Sequence, residues 1–182
     1  MAKVFLSVGS NLGDRAALLR QAVARLRSLP DVQFVDASPV YWTEPWERRP
    51  GESSKNRKTW FFNCVVAIET TLEPPSLLEQ VQDLERAMGR IRGTGRLEDQ
   101  RYKPRPLDID ILLYDDRVIS SHDHLHIPHL LMHERAFVLR PLADLAPELE
   151  HPVLYQTIRE LLEALADEHE VHPSDLPPRW FE

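Results

Sequence analysis

The segment Arg105-Pro106-Leu107-Asp108-Ile109-Asp110-Ile111-Leu112-Leu113-Tyr114 sets two carboxylates two residues apart in an apolar run. On a β-strand alternate residues share a face. Leu107, Ile109 and Ile111 then point into a core, while Asp108 and Asp110 project together on the other side, about 7 Å apart at their attachment points. Like charges held that close favour a cation between them. Hard oxygen donors suit Mg²⁺, which commonly takes one or two carboxylates plus substrate phosphates. D-x-D alone is a common string, and a strand with acids on its wet side is the competing reading.

Charge placement weighs against that competitor. Between Arg86 and Arg105 stand seven bases and two acids, a local balance of +5 that leaves −12 for the remainder of a chain whose net charge is −7. Arginine forks recognise phosphate oxygens, so a basic loop beside a carboxylate pair supplies the two halves of a nucleoside-triphosphate site. Phosphoryl-type transfer needs mainly positioning and charge neutralisation, which such groups provide without a covalent nucleophile. The competing reading is a solvated helix end whose arginines pair with Glu79, Asp83 and Glu85, which accounts for some of the seven bases and not for all.

Other candidates are weaker. Gly9-Ser10-Asn11-Leu12-Gly13-Asp14 reads as a turn and helix cap in preference to an anion cradle. Five histidines, His122, His124, His126, His129 and His133, lack the cysteine or helical His-Glu-x-x-His pattern of a zinc site, and His122, His126 and His133 read as exposed loop residues. Trp60-Phe61-Phe62-Asn63 alternates on a strand, which leaves one aromatic face to stack on a flat ligand.

The elements that must position these groups follow from periodicity. Val4 to Val8 is a short strand, and Leu12, Ala16, Leu19, Ala22, Val23 and Leu26 then recur at helical spacing. Val32 to Tyr41 predicts a second strand, Thr43 to Thr59 a long loop, and Phe61 to Thr70 a third strand. Pro74-Pro75-Ser76 opens a helix with apolar positions Leu77, Leu78, Val81, Leu84 and Met88. The loop Gly89 to Arg105 leads to a fourth strand, Pro106 to Tyr114. The order is βαββαβ, an α+β chain with a ferredoxin-like sheet and its helices on one face. Val118 to Leu145 adds a short strand and a helix, Pro152 to Leu165 a last helix, and the proline-bearing tail from His169 is expected to be loosely held.

Composition sets the outer bounds. A chain of 182 residues, 42% hydrophobic, suffices for one core. Its acidic balance argues against coating nucleic acid. Six glycines, at 9, 13, 51, 89, 93 and 95, permit neither a P-loop nor a G-x-G-x-x-G fingerprint. The single cysteine, Cys64, lies in an apolar run and reads as a buried reduced thiol. With no signal-peptide core and no apolar run of membrane-spanning length, the expectation is a cytoplasmic protein without membrane contact.

Gly9-Ser10-Asn11-Leu12, Phe61-Phe62-Asn63, Arg90, the Arg105-Pro-Leu-Asp-Ile-Asp-Ile-Leu run, and Pro128-His129 with Arg135 and Phe137 together resemble the 6-hydroxymethyl-7,8-dihydropterin pyrophosphokinases of folate biosynthesis. The resemblance runs in order and spacing from about Lys3 to Glu150. It implies transfer of pyrophosphate from ATP to the pterin's hydroxymethyl oxygen, with AMP released. It assigns Asp108 and Asp110 to two Mg²⁺ ions, and Arg90 and Arg105 with them to catalysis. Gln82, Glu85, Arg92, Arg101, Ile111, His129 and Arg135 are assigned to ATP. Thr43, Trp46, Phe61, Asn63 and Phe137 are assigned to the pterin, stacked between the two phenylalanines. Expected partners are these small molecules alone, for a monomer with one pyrophosphokinase domain over residues 1–168 and a tail over 169–182. The chain departs from the family pattern at Glu44, Tyr102, His124 and Leu130, where proline, tryptophan, arginine and tyrosine are common, and in longer 43–59 and 92–101 loops.

Two other classes compete: another Mg²⁺-dependent ATP phosphotransferase, and an RRM-type RNA-binding module of the same element order. The module lacks its glycine-aromatic string on the third strand, and Asp108 and Asp110 would repel phosphate on the fourth. A ferredoxin-like metal carrier would want a C-x-x-C that one cysteine cannot supply.

Overall fold

Val4, Leu6 and Val8 alternate with Phe5, Ser7 and Gly9, and the protein uses both resulting faces. The computed structural model describes residues 1–47, 56–89, 105–121 and 125–182. Strand β1 spans Ala2–Ser10, helix α1 Arg15–Arg27, β2 Val32–Ala37, β3 Tyr41–Thr43 and β4 Phe61–Thr70. Helix α2 spans Pro74–Ala87 and β5 Asp108–Tyr114. A small hairpin follows, β6 Ile119–Ser120 and β7 His126–Ile127, and then α3 Ala136–Leu145, α4 Ile158–Glu163 and β8 Val171–Pro173. The sheet runs β5-β1-β4-β3-β8, with β2 beside the other end of β4, and every strand pair is antiparallel.

One face packs Val4, Leu6, Val8, Val66, Ile68, Ile109 and Ile111 against the apolar stripes of α1 and α2. Asp14 caps α1 by accepting from Ala17 N at 3.0 Å, a contact of about 1 kcal/mol. Pro74 and Pro75 occupy the first turn of α2, where a missing N–H costs nothing. Cys64 is buried and free on this face. The two helices of the βαββαβ unit thus share one face, and the opposite face is covered as well, by the C-terminal helices, whose side of the sheet the sequence leaves open. Phe5, Val65, Ala67, Leu112 and Leu113 form a second core with Met132, Val138, Leu139 and Leu142 of the α3 region and with Ile158 and Leu161 of α4. A bulge between Phe5 and Leu6 lets Leu112 and Leu113 both join that second core.

Other expectations change for physical reasons. The predicted strand from Val32 to Tyr41 is broken at Ser38-Pro39, since proline has no N–H for the ladder; Ser38 Oγ accepts from Val65 N at 2.9 Å across the break. Gly9 and Ser10 belong to β1 and not to the turn, and Leu12 is 43% exposed ahead of α1. The last helix is only Ile158–Glu163 because its N-terminus is set by a Thr157/Glu160 capping box, with Pro152 in the preceding turns. The tail is docked. β8 pairs with β3, Trp180 is 1% exposed, and its Nε1 donates to Ser38 O at 2.8 Å. Burying an indole and a neighbouring Phe181 outweighs the tail's proline content. Among the described residues, no helix is long and apolar enough to cross a membrane.

Candidate active site

The second core covers only part of its face. Where it stops, the ends of β1, β3, β4 and β5 present a row of small or polar side chains. In register, Asp108 lies opposite Gly9, Gly9 opposite Asn63, Asp110 opposite Ser7 and Thr43 opposite Phe61. A cavity of about 200 Å³ opens there. Its floor holds Ser7, Gly9, Thr43, Phe61, Asn63, Asp108 and Asp110; Arg105, residues 44–47, Arg135 and Phe137 wall it.

Several of its polar groups are held by neighbours. Asn63, 5% exposed, donates from Nδ2 to Thr43 Oγ1 at 2.6 Å. Arg105 N donates to Asn11 Oδ1 at 2.7 Å and Asn11 N to Arg105 O at 3.2 Å, which ties the turn after β1 to the approach of β5. The Arg105 guanidinium then reaches Asp108 Oδ2 at 2.6 Å. Arg135 lies 5.5 Å from the Trp46 ring and 5.6 Å from the Phe137 ring, a cation between two π faces. Burial lowers its pKa while Asp110, Glu47 and Asp108 pull the other way, and the guanidinium stays charged. The carboxylates therefore face two cations across the cavity.

All five residues expected at the pterin, Thr43, Trp46, Phe61, Asn63 and Phe137, line this cavity together with Asp108, Asp110, Arg105 and Arg135. Phe62, the other half of the aromatic pair, faces the first core and meets Trp42 at 4.4 Å. Gln82, Glu85, Ile111 and His129 do not line it. Glu85 is 1% exposed and accepts from Ile109 N at 2.7 Å, so one thing it does is hold the strand that carries the aspartates. Ile111 is 5% exposed within the first core, which leaves its main chain as the part able to meet a ligand. Arg90, Arg92 and Arg101, with Tyr102, His122 and His124, lie outside the described residues. The resemblance also implies that the backbone around Thr43 to Trp46 meets the pterin, and Glu44 and Pro45 line the cavity; sequence reasoning misses Ser7, Gly9 and Glu47, and for Ser7 and Gly9 the signal is their alternation with Val4, Leu6 and Val8.

His129 follows the cis Ile127–Pro128 bond, its N donates to Leu112 O at 2.9 Å, and its Nδ1 accepts from Leu131 N at 3.2 Å. Burial, with Arg135 adding to it and Asp108 opposing, lowers its pKa to about 4. The neutral ring thus keeps its proton on Nε2, a donor without charge. Between pH 6.5 and about 4 the unfolded chain binds a proton that the folded chain refuses, so stability falls as pH falls through that window. His129→Gln is expected to remove roughly 3 kcal/mol of the stability lost on going from pH 7 to pH 4. Denaturant unfolding at the two pH values checks this, and an unchanged loss would show His129 to titrate normally.

The 7,8-dihydro-6-hydroxymethylpterin-pyrophosphokinase family model matches residues 5–147. The chain belongs to this family. A 2-amino-4-hydroxy-6-hydroxymethyldihydropteridine pyrophosphokinase of Methylorubrum extorquens is 41% identical over 91% of the chain and 94% of its own length. One of the same name from Pseudomonas aeruginosa is 38% identical over 82% and 84%. The folic acid synthesis protein of Schizosaccharomyces pombe is 40% identical over 88% of this chain, which spans only 20% of that protein. Among solved structures, wild-type Plasmodium falciparum HPPK-DHPS with pteroate aligns at TM-score 0.65 and 20% identity, covering 89% of this chain and 42% of that one. The family residues so matched include every strand that floors the cavity.

Proposed function

We propose that the cavity takes the dihydropterin between Phe61 and Phe137, with Asn63 and the main chain of residues 43–46 reading its polar edge. The triphosphate of ATP then lies over Asp108 and Asp110, among Arg90, Arg92, Arg101, Arg105, His129 and Arg135, with Gln82, Glu85 and the Ile111 main chain on the nucleotide side. The activity is transfer of pyrophosphate from ATP to 6-hydroxymethyl-7,8-dihydropterin in folate synthesis. The pterin hydroxyl oxygen bonds to the β-phosphorus and gives its proton to water, the bond from that phosphorus to the α–β bridging oxygen breaks, and AMP leaves with the electron pair.

The observation that carries this reading is the sharing of one cavity by an aspartate pair and an aromatic, amide-bearing slot. The donor set fits Mg²⁺: two carboxylates on one strand face are the protein share that this ion commonly takes when phosphates and water complete its shell. Two ions, our assignment, would supply positive charge at the β- and γ-phosphates and acidify the attacking hydroxyl. Arg105, whose main chain is fixed by Asn11, would serve the phosphates while Asp108 would serve the ion, and Arg135 would offset charge from the other wall. Phe61 and Phe137 exclude water from the ring faces and orient the hydroxymethyl arm toward the aspartates. The strand order β5-β1-β4-β2 supports a ferredoxin-like frame, extended by the C-terminal elements. We assign the protein to the cytoplasm as a monomer, with no nucleic-acid or membrane partner.

Product analysis tests the reaction. ATP consumed in the presence of the hydroxymethyl dihydropterin should yield AMP in equal amount to pterin diphosphate. ADP as the product would replace pyrophosphoryl transfer by ordinary kinase chemistry.

A further inference from the structure

Helix α3 begins at Ala136 and carries Phe137 in its first turn, yet its N-cap residue Arg135 makes no capping contact of its own. The missing acceptor comes from the C-terminal segment: Asp167 Oδ2 accepts from Ala136 N at 2.8 Å. The same carboxylate, with its side chain 2% exposed, takes His169 N at 3.0 Å and His169 Nδ1 at 2.5 Å on its other oxygen. The His169 ring so held stacks on Trp46 at 4.8 Å and 29°. Trp46 in turn stands edge-on to Phe137 at 6.3 Å. One buried carboxylate thus joins the two walls of the slot, the helix start that bears Phe137 and the loop that bears Trp46. The backbone reinforces the join, since Glu44 N donates to Glu170 O at 2.9 Å and Thr43 pairs with Val171.

We propose that Asp167 and His169 are positioning residues for the pterin: Asp167 orients His169, and the His169 ring holds Trp46 at the spacing from Phe137 that the flat substrate needs. This rests on the reading of the cavity as the pterin slot. Neither residue lines the cavity, so their effect passes through the wall residues they hold, Trp46 and the helix start that bears Phe137. Most of the described triphosphate side is built from β5 and its approach, which these residues do not touch; they reach its Arg135 through the Trp46 and Phe137 rings and the Ala136 cap.

Steady-state kinetics with each substrate varied in turn tests it. His169→Ala should raise KM for the pterin roughly three- to tenfold while KM for ATP stays within about twofold, because an aromatic stacking partner is lost on one side only. His169→Phe, which keeps a ring for the stack but loses the carboxylate bond that orients it, should recover part of the pterin KM. Asp167→Asn should shift the pterin KM in the same direction, with a thermal melt run alongside. An unchanged pterin KM in His169→Ala, a parallel rise of both KM values, or failure of His169→Phe to recover would each overturn the positioning role. Wild-type enzyme assayed first separates the two ideas. If it released no pterin-dependent AMP, the slot itself would be misread and the proposal would fall with it. A working wild type with an indifferent His169→Ala overturns the positioning role alone.

Discussion

Asp110→Ala and Asp108→Ala are each expected to lower kcat by about three orders of magnitude with the fold intact. Both carboxylates sit on β5, whose register against β1 runs without a shift from Leu6 to Gly9 and which Glu85 pins at Ile109 N. Their side chains point into the cavity and contribute to neither core, so removing one deletes charge without opening a void. Losing one of two like charges also relieves repulsion, so the melting temperature of Asp110→Ala should hold or rise, while in Asp108→Ala the lost pair with Arg105 offsets that gain. The two variants should differ in one respect. Asp108 accepts from Arg105, so Asp108→Ala frees that guanidinium and should disturb ATP binding as well, whereas Asp110→Ala leaves the Arg105 contact in place. A Mg²⁺ titration of kcat for each variant, paired with thermal melts, reads both effects. A kcat within tenfold of wild type at saturating Mg²⁺ would remove the aspartates from the metal site.

How much of this was visible in the sequence depends on whether the deciding contact was local. The aspartate pair was legible because a two-residue period on an apolar strand fixes facing without reference to the rest of the chain. The same logic divides Phe61 from Phe62, and it extends to Ser7 and Gly9, which only the neighbouring strands mark as floor residues. The break at Ser38-Pro39 had its proline in plain view, but the hydroxyl that bridges the break answers to Val65, 27 residues away. The prolines of the tail are its local signal, and what holds it is an indole that finds Ser38 at a separation of 142 residues. Long-range contacts of that kind carry no periodic signature. The cover over the second sheet face was hidden for the same reason: α3 has a strong apolar stripe, but nothing in the stripe says which face it covers.

Gly9 offers the sharpest test of the floor itself. A Cβ built at this position would fall 2.3 Å from Asn63 Oδ1 and 3.4 Å from Asn63 Cγ. Asn63 has no slack to yield, being 5% exposed and bonded to Thr43 at 2.6 Å. Gly9→Ala should therefore expel the Asn63 amide from its place, break the Thr43 contact and blunt recognition of the pterin edge. We expect kcat/KM for the pterin to fall by about two orders of magnitude, with roughly 1–3 kcal/mol lost from stability by overpacking. That loss is partly offset by the better strand propensity of alanine, worth about 0.5–1 kcal/mol. A double-mutant cycle isolates the cause. If the clash with Asn63 is what matters, Gly9→Ala should add almost nothing in an Asn63→Ala background, because the atom it strikes is gone. Additive losses would mean that Gly9 serves the floor by some route other than Asn63. A wild-type pterin KM in Gly9→Ala would mean that the amide does not read the substrate at all.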